Sequence, residues 1–190
     1  MIEFLIALVL IITLHELAHL IVAKLCGCRV IEFSIGFGKA LFSKKIGGTT
    51  YKVAPLLLGG YNKLKGELKC SKDKDAFTSL TYRKKLAIAL AGVIVNIVTG
   101  YIALLLGRHF HIYFLRYFGI LSIIIGVTNA LPIPALDGSY PFLLAIEKII
   151  PKKYALKLMR TLCKWGFIIL MILNIASIPW LIYLLMKGVL

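Results

Sequence analysis

Four apolar runs of near-bilayer length constrain the fold of this chain more than any other feature of its sequence. They cover about residues 2–25, 86–106, 117–136 and 163–186, and roughly 20 apolar residues suffice for a helix to cross a membrane. Of the 190 residues, 60% are hydrophobic, and the mean hydropathy is +0.91. This composition is too apolar for the charged surface of a soluble domain. We predict a mainly α, polytopic membrane protein with four transmembrane helices, folded as one domain over residues 1–190.

Basic residues are concentrated in alternate connections between these runs. Fourteen of the 23 lysines and arginines lie from Lys24 through Lys85, whereas the next connection contains only Arg108 and Arg116. The net charge of +15 is therefore a topology signal, and we expect no nucleic-acid partner. The positive-inside rule predicts a cytoplasmic first and third connection, with the N- and C-termini outside.

The first connection carries the pattern of a β-hairpin. Residues 41–46 and 49–58 flank Gly47-Gly48, a dipeptide that can adopt the positive φ values of a two-residue turn. Glycines that permit tight bends or a close backbone approach bracket this pair of strands: Gly36, Gly38, Gly59 and Gly60. We predict a membrane-associated hairpin region over about residues 29–66, on the cytoplasmic side between the first two helices.

Three ionisable residues interrupt the first apolar run. In LHELAHL, His15 and His19 are four residues apart, so one face of a helix presents both imidazoles at the spacing that binds zinc. Glu16 lies about 100° around the helix, where it can reach a water without being a ligand. HExxH often occurs by chance in aqueous helices. Inside a membrane span, however, such residues are costly unless they are functional, and we predict a site for one Zn²⁺.

A third protein ligand is needed for a catalytic zinc site, and Asp137 is the candidate. It lies in NALPIPALDGSYP, near the end of the third apolar run. Pro132 and Pro134 should end the third helix near Leu131 and continue the chain as an extended segment to Asp137. Because both the first and third runs descend toward the cytoplasm, Asp137 can meet His15 and His19 in the cytoplasmic leaflet.

Residues 139–150 form a shorter apolar stretch that is predicted to be an amphipathic helix at the cytoplasmic interface. This stretch is too short to cross a membrane and contains Glu147 and Lys148. Asp137 could also serve as the N-cap of this helix. Such a role does not explain the two prolines or the buried histidines.

HELAH, together with NALPIPALDG, resembles the site-2 protease family of intramembrane zinc metalloproteases. FSIGFG and PLLLGGYNKLKGE are similar to the membrane-reentrant β-loop and following strand of bacterial members, so the resemblance covers most of the chain. It implies a minimal bacterial type without a PDZ domain, located in the bacterial cell membrane. One departure is Ser139, which stands where the family usually has a second glycine after the aspartate.

The resemblance also implies roles for individual residues. It assigns His15, His19 and Asp137 to the metal and Glu16 to general base catalysis. It further assigns Asn129 to holding the substrate or the developing oxyanion. Gly92-Val-Ile-Val-Asn96 is similar to the family's small-residue-to-Asn pattern, which makes Asn96 a candidate substrate-binding residue, although helix packing is an alternative explanation.

The predicted function is hydrolysis of peptide bonds within or near transmembrane segments, with a transmembrane protein or peptide as substrate and the lipid bilayer as surroundings. The unwound substrate is expected to add as a strand near Gly36 and Gly38, or near Gly59 and Gly60.

Two alternative functions remain open at this point. A membrane zinc protease of another family would take a glutamate as third ligand, for which Glu147 is the candidate. A membrane metal transporter or a catalytically inactive scaffold is the non-enzymatic alternative. The sequence does not specify substrate, trigger or oligomeric state.

Overall fold

Helices and a small sheet alternate in the computed structural model, which describes residues 2–67, 71–151, 154–155, 157–169 and 172. The helices are α1 (Ile2–Leu25), α2 (Tyr82–His109), α3 (Tyr113–Asn129) and α4 (Tyr140–Ile149). The strands are β1 (Val30–Phe37), β2 (Phe42–Ile46), β3 (Thr49–Val53) and β4 (Leu56–Leu64). Short 3₁₀ turns precede α2 and α4, at Phe77–Ser79 and Asp137–Ser139. Residues 157–169 are also helical.

The helices α1 and α2 are both long and apolar enough to cross a membrane. Their outward faces bear large exposed apolar side chains, among them Leu5, Ile21, Ile94 and Ile102. Such side chains are stable in contact with lipid, because an apolar surface there is not exposed to water. The predicted first and second spans therefore correspond to helices of suitable length and surface.

The third predicted span, about residues 117–136, corresponds to a helix that begins and ends earlier in the sequence. The helix α3 begins at Tyr113 and ends at Asn129, which makes it 17 residues long. Pro132 explains the early end, because proline has no amide donor and disfavours helical geometry in the residue before it. Of the fourth predicted span, residues 163–169 are helical, and its remainder lies almost wholly outside the described residues.

The sheet has the strand order β2-β3-β1-β4, with β4 at one edge. The predicted hairpin is confirmed, since β2 and β3 pair antiparallel on either side of Gly47-Gly48. Its location in the membrane stays a prediction. The second predicted strand, 49–58, is wrong in its extent: Pro55 cannot donate to a ladder, so the chain leaves β3 there and begins β4 at Leu56.

An apolar core holds the sheet against the helical part of the molecule. Its buried members come from α1, β1, β4 and α2 and from the turns beside them: Leu20, Ala23, Cys28, Val30, Phe33, Leu64, Phe77 and Ile88. Burial of these side chains fixes β4 alongside the C-terminal half of α1. The HELAH segment consequently lies between the edge strand and α2.

Candidate metal centre

The three predicted ligands converge on one point. His15 Nε2 and His19 Nε2 lie 2.9 and 3.2 Å from Asp137 Oδ2, and the two imidazole nitrogens are 3.3 Å apart. Ligand atoms about 2.0–2.1 Å from a tetrahedral zinc are roughly 3.3 Å from each other. The separations of these donor atoms therefore fit a single zinc ion held by two imidazoles and one carboxylate.

The surroundings of His19 set which of its ring nitrogens faces the site. His19 Nδ1 lies 2.7 Å from the backbone carbonyl of Ile88 on α2. A carbonyl can only accept, so Nδ1 carries the proton and Nε2 presents its lone pair to the metal position. Both His15 and His19 are buried, at 8% and 9% exposed, which shields the centre from bulk water.

Asp137 is delivered by a folded turn instead of the predicted extended segment. The chain leaves α3 at Asn129, and residues 130–136 form turns and bends before the 3₁₀ turn Asp137–Ser139. Gly138 lies directly against the backbone of Ala130, where a side chain would collide with the carbonyl oxygen. The two prolines do end the helix as predicted, but the segment that follows doubles back and places Asp137 beside α1.

A cavity of about 650 Å³ adjoins the three ligands, and both Glu16 and Asn129 line it. This volume is within the range of small-ligand sites, about 300–1,000 Å³. Glu16 is held by the side chain of Asn62, whose Nδ2 donates to its carboxylate oxygen Oε2 at 2.8 Å. The prediction did not include Asn62. The available signal was an uncharged polar residue two positions after Gly60, in a strand that begins with three leucines.

The predicted substrate-binding residues are only partly brought to this cavity. Gly59 and Gly60 of β4 line it. The substrate was also expected to add as a strand near Gly36 and Gly38, but β1, which contains Gly36 and ends just before Gly38, is an interior strand that pairs with β3 on one side and with β4 on the other. Asn96 is fully buried between α2 and α3, near Gly126. Its position supports the packing explanation, and it does not line the cavity.

A half-buried polar pair that the prediction missed lies on the cavity wall. The hydroxyl of Tyr140 donates to Glu67 Oε1, and both residues line the cavity. Burial raises the pKa of the Glu67 carboxyl above its usual value, while the hydrogen bond from Tyr140 opposes that rise. Glu67 is not among the three residues whose donor atoms converge, and it ties the chain after β4 to the start of α4.

Glu147, the third ligand expected for another family of membrane proteases, has a different partner. Its Oε2 lies 2.7 Å from Lys85 Nζ in a nearly buried ion pair that joins α2 and α4. Within the described part of the chain, the converging donor group contains Asp137 and not Glu147. The geometry therefore favours Asp137 over Glu147 as the third ligand.

Gly92 on α2 faces both imidazole rings. A Cβ atom built there would lie 2.5 Å from His19 Nε2 and 2.5 Å from His15 Cε1, distances that real side chains do not tolerate. The absence of a side chain at Gly92 is thus what lets α2 approach the metal position. The sequence indicated Gly92 only as part of a small-residue pattern.

Replacement of Gly92 by alanine should lower zinc affinity by about tenfold or more, because displaced ligand side chains bind metal less well. Gly100→Ala is the matched control: its Cβ would lie 2.8 Å from the carbonyl of Gly119, so it strains helix packing away from the imidazoles. Titration with zinc against a competing chelator measures both variants. Wild-type zinc affinity in a folded Gly92→Ala protein would contradict the arrangement described.

Comparison with known proteins agrees with this centre. The sequence profile described as peptidase family M50 matches residues 3–112 and 107–173. A protein of Neisseria meningitidis provisionally named a zinc metalloprotease is 40% identical over 101 residues, covering 51% of this chain and 23% of its own. A protein of Borreliella burgdorferi with the same provisional name is 42% identical over 106 residues, covering 50% and 24%.

The regulator of sigma-E protease RseP of Salmonella typhimurium is 42% identical over 100 residues, which cover 50% of this chain and 22% of RseP. The matched part thus spans only about a quarter of the length of these curated relatives. The family profile, in contrast, extends over most of the present chain, including HELAH and the segment that carries Asp137. The chain therefore belongs to peptidase family M50, which confirms the resemblance to the site-2 proteases.

Proposed function

We propose that this chain is an intramembrane zinc metalloprotease that hydrolyses peptide bonds within or near the transmembrane segments of its substrates. The observation that supports this most directly is the convergence of His15, His19 and Asp137 beside a cavity lined by Glu16. Family membership supports the same reading. A carboxylate beside a three-ligand site is the arrangement that hydrolytic zinc enzymes require, whereas a simple ion site has no need of Glu16.

Each residue of the centre has a distinct task in the proposed reaction. Zinc held by His15, His19 and Asp137 would polarise water and the substrate carbonyl. Glu16 takes a proton from the attacking water and later gives it to the leaving amine, as a general base and then a general acid. Asn129 lines the same cavity, and its side-chain amide would donate to the negative charge that develops on the carbonyl oxygen.

The proposed substrate is an extended segment that pairs with β4. A helical transmembrane substrate hides its carbonyls in internal hydrogen bonds, so it must unwind before it is cut. Among the described strands, β4 pairs only with β1 and lies at the edge of the sheet. Gly59 and Gly60 of this strand line the cavity, and an edge strand offers unpaired backbone groups to an incoming segment.

The proposed topology retains four spans, with both termini outside and the catalytic centre toward the cytoplasm. It is supported by the lysines and arginines concentrated from Lys24 through Lys85 and by the two helices of spanning length. Because one relative is named a regulator of sigma E, we propose membrane-tethered regulatory proteins of a bacterial cell as the substrate class.

Removal of the metal tests the proposed function. The purified protein in detergent should cleave a synthetic transmembrane peptide, and a zinc chelator should abolish cleavage, because the ion supplies the electrophile and the activated water. Added Zn²⁺ should restore the rate. Mass spectrometry of the products measures cleavage and locates the cut. Metal movement across vesicles without any peptide cleavage would contradict the protease and support a transporter.

A further inference from the structure

Asn62 on the edge strand holds Glu16 at two points. One side-chain nitrogen, Nδ2, lies 2.8 Å from Oε2 of Glu16 and 2.8 Å from its backbone carbonyl oxygen. Both partners can only accept hydrogen bonds, so the amide must face them with its nitrogen and donate both of its hydrogens. These two hydrogen bonds, here called the Asn62 clamp, join β4 to α1 across 46 positions of sequence. They hold the main chain and the carboxylate of Glu16 together.

Gly60 provides the space into which the Glu16 side chain fits. A Cβ atom at Gly60 would lie 2.7 Å from Glu16 Cγ and 3.3 Å from its Cδ. Residues two apart on a strand face the same side, so Gly60 and Asn62 meet Glu16 from the same face of β4. The intervening Tyr61 donates its hydroxyl hydrogen bond to Glu32 instead.

The clamp leaves one oxygen of the carboxylate open. Among the described residues, Asn62 accounts for the hydrogen bonding of Glu16 Oε2, and no side chain or amide holds Oε1. A charge-assisted hydrogen bond restrains the carboxylate more strongly than a neutral one would. The carboxylate is thus oriented with a free oxygen while its other oxygen is fixed.

We propose that Asn62 is a positioning residue for the proteolytic reaction, which orients Glu16 and couples that orientation to the strand on which the substrate is expected to pair. This inference depends on the proposed function, in which Glu16 transfers the proton. It assigns to β4 a second role beside substrate pairing. The strand that pairs with the substrate also carries Asn62, which orients Glu16. The position of the carboxylate relative to the scissile bond is therefore set by one strand.

Replacement of Asn62 by leucine tests the inference, because leucine keeps a similar volume and removes both donated hydrogen bonds. Misorientation of a reacting group by about 1 Å can cost on the order of 100-fold in rate. We therefore expect kcat to fall roughly 10- to 100-fold, while KM, bound zinc and thermal stability remain near wild-type. Lys44→Ala, at an exposed position of β2 at the opposite edge of the sheet, is the control and should leave all four quantities unchanged.

The measurements separate the inference from the proposed function on which it depends. Wild-type protein that shows no chelator-sensitive cleavage would overturn both. Active wild-type protein, together with Asn62→Leu at the wild-type kcat, would overturn the positioning role alone. An increase in KM at unchanged kcat would also overturn it, since it would assign Asn62 to substrate binding. Asn62→Asp, which is isosteric and likewise lacks the donor, should repeat the fall in kcat. Loss of zinc or of the folded state in both variants would show a structural role and overturn the inference.

Discussion

Glu16→Gln should bind one zinc ion per chain and cleave a transmembrane peptide about 10²–10⁴-fold more slowly than the wild type, the range typical of a missing general base. Glutamine has nearly the shape of glutamate and can accept the hydrogen bond that Asn62 Nδ2 donates to Glu16 Oε2. It cannot accept a proton from water. The fall should therefore appear in kcat, with zinc content and melting temperature unchanged.

Single-turnover cleavage rates and metal analysis on the same preparations measure this effect. Leu17→Ala is a suitable control, because Leu17 is the next residue of α1 and is exposed, at 37%. A Glu16→Gln protein that cleaves at the wild-type rate would exclude Glu16 as the base. Loss of zinc in that variant would instead assign Glu16 to the metal.

Asp137→Ala should remove the bound metal and, with it, all cleavage. The carboxylate lies within 3.2 Å of both imidazole nitrogens, so alanine leaves a two-ligand site. We expect zinc affinity to fall by at least about 100-fold, beyond the 10- to 100-fold that outer-shell changes cost. Competition with a chelator of known affinity measures the change.

Glu147→Gln is the matched comparison for Asp137→Ala. It neutralises the partner of the nearly buried Lys85, so it should lower thermal stability, by up to about 3–5 kcal/mol if Lys85 remains charged and unpaired. The folded protein should still bind one zinc ion. If this variant does not fold, the double variant Lys85→Met with Glu147→Leu removes both charges and likewise tests whether zinc binding depends on Glu147. Zinc loss in the folded variant, with retention in Asp137→Ala, would reverse the assignment of the third ligand.

Local patterns in the sequence were sufficient to select the three residues whose donor atoms converge, His15, His19 and Asp137. Residues four apart lie on one face of any helix, so the positions of His15 and His19 predict that their side chains lie close together. Because ionisable residues are costly in a membrane span, their presence in an apolar run indicates a functional site. Pro132 and Pro134 predicted that the third helix would end near Leu131, and α3 ends at Asn129. The predicted hairpin likewise depended on a turn of adjacent residues, Gly47-Gly48.

The remaining features depend on which distant segments pack together, and the sequence alone does not specify this. The prediction expected the substrate to add as a strand near Gly36 or near Gly59. In the structure β1 pairs with β3 in parallel and also with β4, which encloses Gly36. The contacts of Asn62 with Glu16 and of Gly92 with the imidazoles join segments far apart in the chain. Strand order and helix packing determine them.

The wide separation of the ligands along the chain has a consequence for biosynthesis. His15 and His19 belong to the first helix, whereas Asp137 follows the third, 118 positions beyond His19. During synthesis the growing polypeptide therefore carries an incomplete set of donors until residue 137 has left the ribosome and its turn has docked on α1. Under the proposed function, a nascent chain that has not reached this point lacks the complete donor set and should not cleave neighbouring membrane proteins.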